Sequence, residues 1–176
     1  SKEIGKPLSN SNHVWNAVKI DNTWKYFDAT WGAGYASNGR WNRKYNDYFF
    51  DIPKGKLFLT HYPEETLWQL RVKRMSKEAF YNQPIYKSDF LNSNLELTTA
   101  KNGRLKINNE GFIQFKVKNL NPTQRIYFGF DNLKIAKKQR ISSEKNISTI
   151  KIIPSQNSKE AYLFIDRMLA LEFLIE

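Results

Sequence analysis

A chain of 176 residues that is 40% hydrophobic and 15% aromatic, with only 8 Gly and 6 Pro, can bury the core of one ordinary domain or two small ones, which excludes disordered and collagen-like classes. It contains no cysteine, which excludes disulfides and any thiol chemistry carried out by this chain alone. The formal net charge of +11 would suit an anionic partner, either nucleic acid or an acidic cell-surface polymer. The densest basic runs, however, are the short Arg71-Val72-Lys73-Arg74 and Lys137-Lys138-Gln139-Arg140, and no zinc-finger spacing, phosphate loop or RNA-binding signature accompanies them, so nucleic acid is not the expected partner.

The first twelve residues are polar and begin without Met, which suggests a processed protein or a fragment with sequence upstream. They lack the charged-then-apolar character of a signal peptide, and no apolar run approaches the roughly 20 residues that cross a bilayer. The compartment stays open: an exported or cell-surface bacterial protein fits, and so does a cytosolic one.

Residues 13–20 and 23–31, separated by Asp21-Asn22, read as a β-hairpin: β-branched and aromatic residues fill both arms, and Asp and Asn both tolerate positive φ. A two-residue loop sets Trp15 opposite Asp28 and His13 opposite Thr30, so that His13 and Asp28 share a face on the diagonal, roughly 7–8 Å apart at the backbone. A three-residue loop would pair His13 with Trp31 and send Asp28 to the other face. On this parity Trp15 and Trp24 go with His13, while Trp31 does not. Trp15 is a candidate for lining a substrate cleft, although aromatics of a hairpin more often belong to the core. Gly32 and Gly34 permit the turn after the second arm.

Further along, His61 in His61-Tyr62-Pro63 has no acid at metal-ligand spacing and reads as structural. All five Trp residues (15, 24, 31, 41 and 68) fall between residues 13 and 70, which reads as one unit. The basic stretch Leu70 to Pro84 reads as a connection, with a short helix at Ser76–Phe80 capped by Ser76. Beyond it come short alternating segments: Leu95–Leu97, Phe112–Val117, Arg125–Phe130, Thr149–Ile153 and Leu169–Ile175. Asn/Gly-rich turns separate them, the pattern of a small antiparallel β-sandwich. The predicted organisation is a first unit over 1–75, a linker over 76–87 and a sandwich over 88–176, in an α+β, mostly β, fold.

A His and an Asp on one face supply two members of a nucleophilic triad: the carboxylate fixes the imidazole's tautomer, and the imidazole takes the nucleophile's proton. The third member is absent. Ser9, Ser11 and Ser37 lie nearby without a Gly-x-Ser-x-Gly elbow around them. On spacing alone the pair is as compatible with a structural hydrogen bond as with catalysis. Two histidines and no cysteine offer no zinc set, and no spaced Asp/Asn calcium loop is evident, so neither a metal nor a cofactor is expected.

The block His13-Val14-Trp15-Asn16-Ala17-Val18, then Trp24-Lys25-Tyr26-Phe27-Asp28-Ala29-Thr30-Trp31-Gly32-Ala33-Gly34-Tyr35, resembles the His-x-Trp-Asn … Trp-x-x-x-Asp-x-Thr-Trp-Gly-x-Gly segment of transglutaminase-like proteins, most of all the kyphoscoliosis-peptidase branch. Asp47-Tyr48-Phe49-Phe50, His61-Tyr62-Pro63 and Trp68-Gln69-Leu70 resemble that branch's continuation, whereas past residue 100 the likeness rests on strand pattern. The resemblance implies the antiparallel-sheet part of a papain-like core, with His13 as general base and Asp28 as its orienting carboxylate. It also implies a cysteine nucleophile on a helix before His13, which this chain does not contain. A truncated cysteine peptidase, amidase or acyltransferase acting on protein or peptide amides is the leading expectation. A non-catalytic binding module on the same scaffold is the alternative.

Overall fold

At Asp21-Asn22 the backbone takes positive φ at both residues, 47° and 60°, which marks the type I′ turn whose twist matches that of the strands it joins. Strands β1 (Asn16–Ile20) and β2 (Thr23–Phe27) therefore pair antiparallel with Ile20 opposite Thr23 and Asn16 opposite Phe27. Of the two loop lengths left open by the sequence, this is the two-residue one, which a shared face for His13 and Asp28 requires. Its parity puts Trp15, Ala17, Trp24 and Tyr26 on one face and Val14, Val18, Ile20 and Phe27 on the other.

Strand geometry stops at Asp28. Helix α1 (Ala29–Ala33) begins there, capped by the Asp28 carboxylate, which accepts from the Trp31 N–H at 2.9 Å. A second hairpin follows, β3 (Gly34–Ser37) with β4 (Arg40–Arg43). Gly34 is required at its start, because a Cβ there would lie 2.1 Å from the Asn42 carbonyl oxygen. The chain returns through a 3₁₀ turn at Asp47–Phe49 and binds the outer edge of β2: Asp28 N–H donates to the Phe49 carbonyl at 2.9 Å and Ile52 N–H to the Tyr26 carbonyl at 2.7 Å. Helix α2 (Leu57–Thr60), a 3₁₀ turn at Thr66–Gln69 and helix α3 (Lys77–Tyr81) complete this region. The Ser76 hydroxyl accepts from the Ala79 N–H at 3.0 Å, the helix cap expected at Ser76.

The computed structural model describes residues 2–99 and 101–176. It divides into two compact units, Leu8–Phe80 and a second made of Tyr81–Glu176 with the N-terminal stretch through Pro7. That stretch is tied down by the Gly5 N–H on the Tyr81 carbonyl at 2.9 Å and by Lys2 Nζ on the carbonyls of Gln83 and Pro84 at 3.2 and 3.1 Å.

The second unit is an antiparallel sandwich with short additions. Its elements are β5 (Ile85–Tyr86), α4 (Ser88–Leu91), β6 (Glu96–Leu97), β7 (Arg104–Leu105), β8 (Ile113–Lys118), β9 (Ile126–Phe130), β10 (Lys137–Lys138), β11 (Ile141–Glu144), β12 (Ile147–Ile152), β13 (Glu160–Ile165) and β14 (Met168–Ile175). One sheet runs β10-β9-β13-β14-β5, with β7 parallel on β14; the other runs β11-β12-β8-β6. Alternation builds the core: Ile113, Phe115 and Val117 point inward from β8, and Ile126, Phe128 and Phe130 from β9. Phe115 meets Phe128 and Phe173 of the opposite sheet at 4.8 and 5.2 Å between ring centres. A bulge in β14 lets Ala170 and Leu171 both turn inward, which breaks the period of two. The architecture is α+β and mostly β, as the sequence predicts.

Candidate active site

Asp28 is the node of the first unit. It ends β2 and caps α1, so both of its oxygens are directed by backbone it helps to form. Oδ1 takes the Trp31 N–H; Oδ2 faces two imidazoles, His13 Nε2 at 2.6 Å and His61 Nε2 at 3.0 Å. The carboxylate side chain has no solvent exposure, His61 has 1% and His13 has 18%. The predicted His13–Asp28 encounter is formed.

With Asp28 ionised, both Nε2 atoms carry the proton and donate. On His13 this leaves Nδ1 as the nitrogen with a free lone pair, and it makes no hydrogen bond among the described residues. On His61, Nδ1 lies 2.8 Å from the Thr60 hydroxyl, which donates to it. Burial lowers the His61 pKa, and it does so against the pull of the Asp28 carboxylate, so this imidazole stays neutral through the neutral range. Burial also pushes the Asp28 carboxyl up, but hydrogen bonds from His61, the Trp31 N–H and His13 outweigh it and hold the group below its ordinary value.

Aromatic rings enclose the two imidazoles. Trp31 stacks on His13 with centres 4.6 Å apart and planes at 19° and lies 4.7 Å from His61. Trp15 stands edge-on to His61 at 5.0 Å and 6.5 Å from His13. Trp31 is a correction to the hairpin parity, which had directed it away from His13. The helix that starts at Asp28 turns Trp31 back over the site, and strand alternation does not extend past the cap. Trp24, although on the His13 face, packs edge-on against Trp68 at 5.7 Å instead.

His61, read from the sequence as structural, is buried and hydrogen-bonded at both ring nitrogens. Its acid partner is not a neighbour in sequence: the end of α2 delivers it onto Asp28, 33 positions away in the chain. No local pattern carries that contact; the signal in the sequence is the resemblance of His61-Tyr62-Pro63 to the same family segment. The ligand-type atoms of His13, Asp28 and His61 all lie within 4.8 Å of one another, a spacing at which one metal ion could reach them. The 2.6 Å and 3.0 Å separations are those of hydrogen bonds, shorter than the about 3.3 Å expected between ligand atoms placed tetrahedrally about 2.0–2.1 Å from zinc. As arranged, Oδ2 is committed to the two imidazoles.

Comparison with known proteins points the same way over part of the chain. Over 86 residues, 48% of its length, the chain is 30% identical to kyphoscoliosis peptidase of Mus musculus and likewise to that of Homo sapiens. Over 100 residues, 51% of its length, it is 26% identical to the LIM and transglutaminase domain protein ltd-1 of Caenorhabditis elegans. The chain covers only 13% of the first two proteins and 14% of the third. No protein-family profile and no solved structure matches it. What these likenesses support is a distant relationship to transglutaminase-like proteins across about half the chain.

Proposed function

We propose that this chain carries the base and orienting acid of a cysteine-dependent acyl-transfer site of transglutaminase-like type, with the thiol supplied by a segment outside it. The observation that carries the reading is the His13–Asp28 pair: a part-buried imidazole held through Nε2 by a fully buried carboxylate, with Nδ1 making no hydrogen bond among the described residues. In such a site Nδ1 of His13 takes the thiol proton as sulfur attacks an amide carbonyl. The same proton then passes to the departing amine, leaving a thioester. Water resolving the thioester makes the protein a peptidase or amidase; an amine makes it a cross-linker. The substrate is accordingly a protein or peptide amide.

Two features support a further segment packing on the first unit. The hairpin face opposite His13 is apolar yet open, with Val14 82%, Val18 43%, Ile20 46% and the adjoining Phe50 69% exposed. The Tyr26 hydroxyl is buried without a hydrogen-bond partner among the described residues, a cost that an added polar group would remove. Trp15, beside both imidazoles, is placed to line the acyl-binding cleft.

The test is thiol labelling of the full-length gene product with iodoacetamide near neutral pH, with the modified site mapped by mass spectrometry, beside a His13→Ala variant. A fast-reacting upstream cysteine that slows in the variant is the expected result. No reactive cysteine, or no effect of the variant, sinks the catalytic reading and leaves a binding module on this scaffold.

A further inference from the structure

We infer that His61 is a positioning residue for His13, acting through the shared Asp28 oxygen to hold the imidazole in the tautomer that leaves Nδ1 bare. Calling Nδ1 the base rests on the proposed function; the claim about the tautomer does not.

Three observations carry it. His61 is buried to 1% exposure and anchored from both ends, by Thr60 at Nδ1 and Asp28 at Nε2, so its ring has one tautomer and one orientation. It donates to Oδ2, the same oxygen that receives His13, rather than to the oxygen used by the helix cap. And it is a neutral donor. A Lys or Arg at this place would hold the carboxylate equally well but would cancel its charge, and that charge is what stabilises the imidazolium that forms on His13 during proton transfer.

The three bonds to Asp28 therefore divide the work. Trp31 N–H fixes Oδ1 and, with the backbone, the plane of the carboxylate. His61 gives Oδ2 a second donor, so that the oxygen keeps its place while His13 gains and loses a proton. Without His61 the oxygen has one donor instead of two, and the carboxylate can rock about Cβ–Cγ with only the cap bond and the mobile His13 ring to hold it. His13 would then exchange between tautomers, and part of the time Nδ1 would carry the proton it is meant to receive.

The test uses the intact 176-residue chain, whose 2 histidines make a side-chain ¹⁵N correlation spectrum directly assignable. Both rings are expected as single Nε2–H tautomers near pH 7.5. His61→Phe should convert the His13 signals to an exchanging mixture, and His61→Gln, whose Nε2 amide reaches the same oxygen, should restore the single tautomer. Thr60→Val keeps the side chain's shape and removes the outer anchor, together with the hydroxyl's bonds to the Leu57 carbonyl and to Tyr48; it should loosen the His61 tautomer and broaden that of His13. A folded His61→Phe protein in which His13 remains a single Nε2–H tautomer overturns the inference. Where that variant fails to fold, a mixed tautomer in His61→Gln, or two unchanged rings in Thr60→Val, overturns it just as well. In the full-length protein His61→Phe should slow thiol labelling about 10–100-fold, with recovery in His61→Gln. The tautomer readout involves no thiol, so it succeeds or fails independently of the acyl-transfer reading.

Discussion

The two units of this chain are stabilised in different ways. The sandwich joins its two sheets through one continuous apolar cluster, and Ser148 is its one buried polar residue among those described. The site unit has two separate two-stranded sheets and short helical turns, and its interior holds Asp28, His61 and Gln69. Gln69 clamps the loop ahead of α3, giving its amide N–H to the Met75 carbonyl and taking the Met75 N–H, both at 2.8 Å. Apolar burial tolerates acid and small displacements of charge. A hydrogen-bonded ionic centre does not, and it requires the protonation states on which it is built.

That contrast can be broken in a graded series. The largest effect is expected at Asp28→Asn. The amide can keep its oxygen on the Trp31 N–H, but it then turns an N–H toward both imidazoles and forces them into the opposite tautomer. Thiol reactivity or turnover of the full-length protein should fall about 10⁴-fold while the circular dichroism spectrum is unchanged; a drop of less than tenfold would show that Asp28 does not orient the base. Next comes Phe115→Ala at the centre of the sandwich, expected to cost about 3–5 kcal/mol in urea unfolding followed by far-ultraviolet circular dichroism.

All five tryptophans lie between residues 15 and 68, so tryptophan fluorescence reports on the site unit alone. Gly34→Ala should shift the fluorescence midpoint by about 1–3 kcal/mol, because the new methyl meets a backbone oxygen that cannot swing aside. A midpoint equal to that of the parent protein would mean that β4 moves freely, against the packing described.

The smallest and most gradual effect is that of pH. His61 is held below its ordinary value of 6.5, so the unfolded chain binds a proton that the folded unit refuses, and stability declines as pH falls from about 6.5 through the folded value. Asp28, held below its ordinary 3.8, adds a second decline as pH falls past that value through its folded one. The fluorescence midpoint should follow both steps downward; a midpoint that rises or stays level between pH 7 and 5 would contradict the neutral His61.

What the sequence discloses follows from how local each contact is. Asp21-Asn22 suits a two-residue turn, and such a turn fixes which side chains share a face, so the His13–Asp28 pair follows from the 16 consecutive residues 13–28 once the loop length is given. Helix α1 is harder to see. Thr30 and Trp31 favour strands and continue the apparent pattern of β2, while the competing signal is a single capping residue, Asp28. In β13, Ala161, Leu163 and Ile165 alternate as a buried strand should, whereas the bulge in β14 hides its period by placing Ala170 beside Leu171. His61 is invisible for a different reason: its partner is reached only after two hairpins, a 3₁₀ turn and a short helix have folded, and no spacing rule spans that path.

The double employment of Asp28 bears on how relatives of this chain should be interpreted. A copy of the fold that had given up its chemistry would still need that carboxylate, because a helix start and a buried imidazole both depend on it. His13 carries no such second duty: it has one hydrogen bond and a ring stack that another flat side chain would supply. In a survey of such copies, an intact aspartate is a mark of folding, and if the site is the acyl-transfer site proposed above, it is the residue at position 13 that separates working copies from retired ones.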